Sequence, residues 1–314
     1  MNETIQFDNV SKFYGEVLGV NRVSLTISSG ITTLVGPNGS GKTTLMNLMT
    51  GLVQPSSGTV SVLGLNPSNA TQVFFDVGYC TQFDSFPRAI TGFQFILDGL
   101  MLFGTDKDEA VQLANEAIDR VQLVSEAAHR KIAGYSKGMR QKIRLAQAIA
   151  HHPRVLVLDE PLNGLDPMAR AESIALFQEL GRLGMHLVIS SHILDEVDRI
   201  SDRVVLITGG YLIAQGSIHE VRKEVRDRPM QVLIRCNKPE LLAARMFSVN
   251  HCVEARLHDD GRGVFLRTGD IDQFYHLLNE IAVEGLINIE AVAPADDDAN
   301  AIYQYLIGTD GSAS

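Results

Sequence analysis

Gly36, Gly41, Lys42 and Thr43 have the types and spacing to hold a triphosphate. The stretch Gly36-Pro37-Asn38-Gly39-Ser40-Gly41-Lys42-Thr43 fits the pattern G-x-x-x-x-G-K-[ST]. Its glycines let the backbone curl, so that several N–H groups point inward at phosphate oxygens. A helix starting at Lys42 would add its positive end. Lys42 would neutralise the β- and γ-phosphates, and the Thr43 hydroxyl would be one ligand of Mg²⁺. Thr44 completes this set of nucleotide-binding candidates.

A second constellation lies at Val155-Leu156-Val157-Leu158-Asp159-Glu160-Pro161, an apolar run ending in two carboxylates. Beside a phosphate loop, Asp159 is placed to help hold Mg²⁺. Glu160 is the next residue and is expected to point away from Asp159 along a strand. There it could accept a proton from an attacking water or orient that water.

The elements that must position these residues can be read from periodicity. Thr4–Phe7 and Val23–Ile27 alternate apolar and polar residues, as half-buried strands do. Ile31–Val35 is a short apolar strand running into the glycine loop, and a helix follows from about Lys42 to Met49, ended by Gly51 and Pro55. Asp106–Ala128 reads as helical. Val155–Leu158 has the continuous apolar character of a central parallel strand, and Leu187–Ser190 and Val204–Ile207 read as further strands. Strands alternating with helices predict an α/β layer structure.

A domain boundary is expected near residue 229, after the polar, charge-dense stretch Val221–Pro229. Beyond it, Gln231–Arg235 reads as a strand, Pro239–Met246 as a helix, and Cys252–Leu257 with Gly263–Arg267 as a hairpin turning at Asp259-Asp260-Gly261. Ile271–Val283 reads as an amphipathic helix and Leu286–Val292 as a strand. This β-α-β-β-α-β order predicts a small α+β, ferredoxin-like unit over 230–314. Asp296–Asp298 is expected to be a solvated turn or helix start, and the GTDGSAS tail to be frayed.

With the phosphate loop and acid pair in place, the chain closely resembles the ATP-binding subunits of ABC transporters over about residues 3–220. Further motifs of that family occur in its order. Gln82, in Gly78-Tyr79-Cys80-Thr81-Gln82, matches the Q-loop; Tyr135-Ser136-Lys137-Gly138-Met139-Arg140-Gln141 matches the signature motif. Asn163-Gly164-Leu165-Asp166 matches the D-loop, and Ser190-Ser191-His192 the switch histidine. Tyr14 stands 22 residues before Gly36 and resembles the aromatic residue on which adenine stacks.

The resemblance implies an ABC ATPase domain with a parallel core sheet, an antiparallel β subdomain and a helical subdomain. It implies that His192 and Gln82 complete the γ-phosphate end, with Gln82 a further Mg²⁺ ligand, and that Glu160 activates water. It also implies that Ser136, Lys137 and Gly138 meet the γ-phosphate of ATP held by the opposite subunit of a head-to-tail dimer, with Asp166 in the D-loop. Ser136 is a plausible N-cap, with Met139, Ile143, Ala146 and Ala150 along one helical stripe that stops at His151-His152-Pro153. The signature departs from the commonest Leu-Ser-Gly-Gly-Gln: Tyr135, Lys137 and Met139 replace the Leu, a Gly and the Gln, so Met139 is not given the glutamine's role. This variant resembles the branch paired with ABC-2 type exporters.

Composition bounds the remaining classes. The 314 residues are 45% hydrophobic and 20% charged, ordinary globular values that exclude collagen-like and disordered chains. With 27 Lys+Arg against 37 Asp+Glu the net charge is −10, and no nucleic-acid partner is expected. Residues 230–314 carry −7 of that charge. Cys80, Cys236 and Cys252 form neither a zinc spacing nor a disulfide framework, and His251, Cys252 and His258 are too loosely spaced for a metal site. The N-terminus shows no signal-peptide pattern, and no segment approaches the roughly 18 apolar residues of a membrane span.

The expected protein is therefore cytoplasmic, using ATP and Mg²⁺. It would be a homodimer or pair with a related ATP-binding subunit. A separate integral-membrane permease would hold it on the inner face of the membrane, through a docking surface around 83–134 that is rich in phenylalanine (Phe83, Phe86, Phe93 and Phe95). The rival expectation is a soluble ABC ATPase acting on ribosomes or DNA. A third expectation, compatible with the first, is a regulatory ligand-binding role for 230–314.

Overall fold

The computed structural model describes residues 3–295 except 69, 84, 88, 193, 202, 218, 219, 221–229, 249–251 and 259. The linker expected at 221–229, His251, the Asp296–Asp298 run and the tail lie outside the described residues. The chain divides into two compact units, Met1–Gly216 and Ser217–Ser314.

The chain runs β1 (Glu3–Tyr14), β2 (Val17–Ser28), β3 (Ile31–Val35), α1 (Lys42–Met49), β4 (Ser57–Val62), α2 (Ala70–Asp76), β5 (Val77–Cys80), α3 (Gly92–Leu102), α4 (Lys107–Arg120), α5 (Ser125–Ala128), α6 (Lys137–Ile149), β6 (Val155–Leu158), α7 (Pro167–Arg182), β7 (His186–Ser191), α8 (Leu194–Ile200), β8 (Arg203–Thr208) and β9 (Tyr211–Ser217). Strands β5-β6-β7-β3-β8-β9 form one sheet, in which β5 to β8 are parallel neighbours. Gly209 and Gly210, both at positive φ, turn β8 into β9. Strands β2-β1-β4 form a separate antiparallel sheet.

The parallel sheet is apolar on both faces, which is what lets it sit between two layers. Leu156 and Leu158 of β6, with Leu187 and Ile189 of β7, point into a core shared with helices α3 to α7. Their neighbours Val155, Val157 and Val188 point the other way, into a core shared with α1 and the antiparallel sheet. All four residues of β6 are buried.

The continuous helix expected over Asp106–Ala128 is instead two helices. Asp106 caps α4 by accepting from the Asp108 N–H, and α4 ends at Arg120. Gln122 then takes a left-handed conformation, φ 54°, before α5. Val121 and Leu123 are buried at this break, so the apolar positions that extend the helical pattern serve the turn.

The second unit runs β10 (Met230–Cys236), α9 (Pro239–Ser248), β11 (Glu254–Leu257), β12 (Gly263–Thr268), α10 (Ile271–Val283) and β13 (Ile289–Pro294). Its antiparallel sheet has the order β11-β12-β10-β13. Val232, Ile234, Val264 and Leu266 alternate onto one face and share a core with Leu242, Met246, Phe274 and Leu278 of the helices. Two strands start later than expected. β11 begins at Glu254, and β13 begins at Ile289 because α10 ends in a turn through Gly285, at φ 71°.

Candidate functional site

The site is built where β3, β6 and β7 end together, the crevice at the carboxyl ends of parallel strands. Val35 leads into the glycine loop and α1, Leu158 into Asp159 and Glu160, and Ser191 into His192. The loop is held tightly. A Cβ on Gly36 would stand 2.5 Å from the Ile207 carbonyl oxygen, and Gly41 lies at φ 111° with a Cβ position 2.8 Å from the Gly19 carbonyl. Only glycine fits either position. Gly41 caps α1 without a side-chain hydrogen bond, which leaves the first N–H groups of the helix for a ligand.

A cleft of about 380 Å³ opens on this loop. Asn38, Gly39, Ser40, Gly41, Lys42, Thr43 and Thr44 line its floor, Gln82, Asp159 and Glu160 one end, and Tyr14 with Val17, Leu18 and Gly19 the other. The lining is thus polar along the loop and the two acids and more apolar at the Tyr14, Val17 and Leu18 end. Tyr14 is 43% exposed, and Lys12 Nζ lies 5.2 Å from its ring centroid. Ser40 Oγ is buried with no hydrogen-bond partner among the described residues, an orphaned donor inside a loop of phosphate-binding shape.

Lys42 is turned back onto its own loop. Its Nζ donates to the Gly36 carbonyl at 2.5 Å and to the Pro37 carbonyl at 3.1 Å, and lies 3.4 Å from Glu160 Oε1. The two side chains are 6% and 7% exposed, so this is a buried ion pair. Thr43 Oγ1 donates to Asp159 Oδ2 at 2.8 Å. Asp159 Oδ1 accepts from Ser190 Oγ at 2.7 Å, and Ser190 Oγ accepts from the Glu160 N–H at 2.6 Å. His192 Nδ1 is 2.8 Å from Glu160 Oε2.

One sequence expectation is corrected here. Glu160 does not extend a strand. β6 ends at Leu158, and Glu160 has a left-handed backbone, φ 48°. That turn brings its carboxylate to Lys42 and His192. A non-glycine residue in this conformation is under local strain that its surroundings must hold.

The signature and D-loop residues stand elsewhere. Ser136 caps α6 by accepting from the Met139 N–H at 3.2 Å, and Asp166 caps α7 by accepting from Met168 and Ala169. None of Ser136, Lys137, Gly138 and Asp166 lines the cleft. The two caps are neighbours, because a Cβ on Gly138 would meet Ala169 at 3.7 Å and one on Gly164 would meet the Lys137 side chain. Of the phenylalanines, Phe83 is 79% exposed, whereas Phe86 and Phe95 stack edge-on at 5.0 Å and Phe93 packs on His129.

Sequence reading missed two supports. Arg144, from α6, donates to the carbonyls of Thr81 at 3.0 Å and Phe83 at 2.6 Å, clamping the peptide on both sides of Gln82. Ser190 joins the two acids and lay unremarked inside the motif that ends at His192. Behind the acids, burial and the Asp159 charge raise the pKa of Tyr79, whose hydroxyl donates to Asn47 Oδ1 at 3.1 Å. Burial pushes the Cys80 thiol up to about 11.

A cleft of this kind can hold a nucleoside triphosphate and present a carboxylate to a water at its terminal phosphate. A sequence profile described as ABC transporter matches residues 20–163. The bacitracin transport ATP-binding protein BcrA of Enterococcus faecalis is 30% identical over 317 residues, covering 100% of this chain and 99% of its own. The Nod factor export ATP-binding protein I of Burkholderia lata is 36% identical over 217 residues, 68% of this chain and 71% of its own. Among solved structures, a dimeric ATP-binding cassette in a post-hydrolysis state bound to ADP and Pi aligns with TM-score 0.63. At 21% identity over 68% of this chain and 98% of that one, it shares the fold.

Proposed function

The chain belongs to the ATP-binding subunits of ABC transporters, an ATPase whose hydrolysis is coupled to transport, and we propose that it drives an exporter through a separate integral-membrane permease. No helix among the described residues is long and apolar enough to cross a membrane. The permease would therefore supply the membrane path and hold the chain at the inner face. Export is the direction the Nod factor relative's name carries. Alignment to BcrA along the whole chain extends the likeness into residues 230–314, which we assign to an accessory domain.

The observation that carries the reading is the cluster of Lys42, Thr43, Asp159 and Glu160 lining one cleft, with His192 joined to it through Glu160. Tyr14 offers a ring for adenine at the apolar end. The loop N–H groups, Ser40 and Lys42 receive the phosphates. The oxygens of Thr43 and Asp159, with Gln82, are the hard-donor set that Mg²⁺ takes, and the 2.8 Å Thr43–Asp159 contact supports that assignment. Bound there, Mg²⁺ would neutralise charge on the β- and γ-phosphates. Glu160 orients or deprotonates the attacking water, and His192, hydrogen-bonded to it, fixes its carboxylate. Ser136, Lys137, Gly138 and Asp166, absent from this chain's own cleft, are left to complete the site of a second ATP-binding subunit, the same chain or a related one.

The test is recovery of partners of a Glu160→Gln variant, with MgATP, from detergent-solubilised membranes of the native host. A polytopic membrane protein is the expected partner. Ribosomes or DNA-repair factors without any membrane protein would replace this reading with a soluble ATPase.

A further inference from the structure

We infer that Ser190 is a positioning residue for hydrolysis, a single hydroxyl that sets both acids of the site without touching the nucleotide. Leu158 of β6 is paired with Ile189 of β7, so the next residues, Asp159 and Ser190, come side by side as the two strands end. The Ser190 hydroxyl then makes two short contacts. It donates to Asp159 Oδ1 at 2.7 Å and accepts the Glu160 N–H at 2.6 Å. Ser190 is 1% exposed and does not line the cleft, so its effect passes through these two partners.

Each contact does a separate task. Asp159 has two oxygens, and with Oδ1 taken by Ser190 its other oxygen, Oδ2, is turned to Thr43. The carboxylate therefore cannot spin, and the oxygen pair that Asp159 and Thr43 offer to a cation is pre-set. Glu160 sits at φ 48°, a conformation that costs a non-glycine residue free energy. The Ser190 oxygen is the acceptor for its N–H in that conformation. Without it the part-buried Glu160 N–H loses its acceptor, and the peptide is free to relax toward the strand direction. That would swing the Glu160 carboxylate away from Lys42 and His192. A hydroxyl can donate and accept at once, which explains why serine serves here and an apolar residue would not.

The inference rests on the ATPase reading, and wild-type hydrolysis measured alongside separates failure of that reading from failure of this one. The experiment compares the full chain with its Ser190→Ala and Ser190→Thr variants. Alanine should lower kcat roughly tenfold, the scale for removing a hydrogen bond that orients a metal-holding carboxylate. Binding of a fluorescent ATP analogue without Mg²⁺ should not weaken, since the glycine loop is untouched and Lys42 is if anything released from Glu160, while the tightening produced by added Mg²⁺ shrinks about tenfold. Threonine, which keeps the hydroxyl, should recover most of both. Alanine activity within twofold of wild type would overturn the inference. So would an alanine variant that loses Mg²⁺-free nucleotide binding and thermal stability together with no recovery by threonine, because that is general damage. If the alanine variant does not fold, Ser190→Cys, with its weak S–H donor, takes its place under the same criteria.

Discussion

Replacing Glu160 by Gln should tighten nucleotide binding as well as slow hydrolysis, and the geometry sets an upper bound on the size. In the structure Lys42 Nζ lies 3.4 Å from Glu160 Oε1 with both side chains nearly buried. At an effective dielectric constant near 20, such a pair attracts by roughly 5 kcal/mol. An incoming triphosphate must take Lys42 from this partner and place its own negative charge opposite the same carboxylate. Most of the attraction is offset, because the phosphates become the new partner of Lys42 and Glu160 retains His192. A remainder of about 1.4–2.8 kcal/mol corresponds to ten- to hundredfold in affinity. The neutral amide removes this competition while keeping the shape of the side chain. It also leaves the Lys42 charge without an anionic partner in the empty protein, so the variant should melt at a lower temperature without nucleotide and gain more on binding it. Calorimetric titration of both proteins with the same non-hydrolysable ATP analogue and Mg²⁺ measures the difference. Equal or weaker affinity in the variant would refute the competition, and the buried ion pair would then play no part in nucleotide entry.

Two further changes probe the frame. His151 stacks on Phe103 at 4.9 Å, and burial lowers its pKa below the usual 6.5. The unfolded chain therefore takes up a proton near pH 6.5 that the folded chain does not, and stability falls as the pH drops through that window. His151→Phe should flatten the change in urea midpoint between pH 7.5 and 5.5, leaving the part due to His186, whose pKa burial also lowers; an unchanged slope would exclude His151 as a source. Gly78 lies on β5 against α6, where an added Cβ would overlap the Ala148 carbonyl oxygen. Gly78→Ala should cost about 2–3 kcal/mol by forcing strand and helix apart, and a loss under about 0.5 kcal/mol in urea unfolding would show that the contact yields freely.

What the sequence disclosed followed the range of the interactions. The glycine loop and α1 are contiguous, and the helix runs from Lys42 to Met49 as periodicity and Gly51 indicate. The continuous apolar run of β6 marks a strand buried on both faces without any knowledge of its neighbours. Ser190 and Arg144 were not legible, because each works on residues 30 or more positions away and nothing in its own segment marks it. The Glu160 turn was missed for a related reason. A strand pattern has no feature saying that it ends one residue before the first acid, and the Ser190 acceptor that permits the turn belongs to another strand. At Gln122 the helical pattern continued in apolar residues that the fold uses for a buried corner, so tertiary burial overrode local preference.

The three cysteines give the chain a property unrelated to catalysis. Cys80, Cys236 and Cys252 are all free and buried, and burial raises the pKa of each thiol. Thiolate is the reactive form, so thiol-directed alkylating agents find no reactive cysteine in the folded protein. Cys80 belongs to the first compact unit and the other two to the second. Each unit therefore carries its own silent reporter. The order in which the thiols become labelled as denaturant rises is a record, written by the native sequence, of which half of the chain opens first.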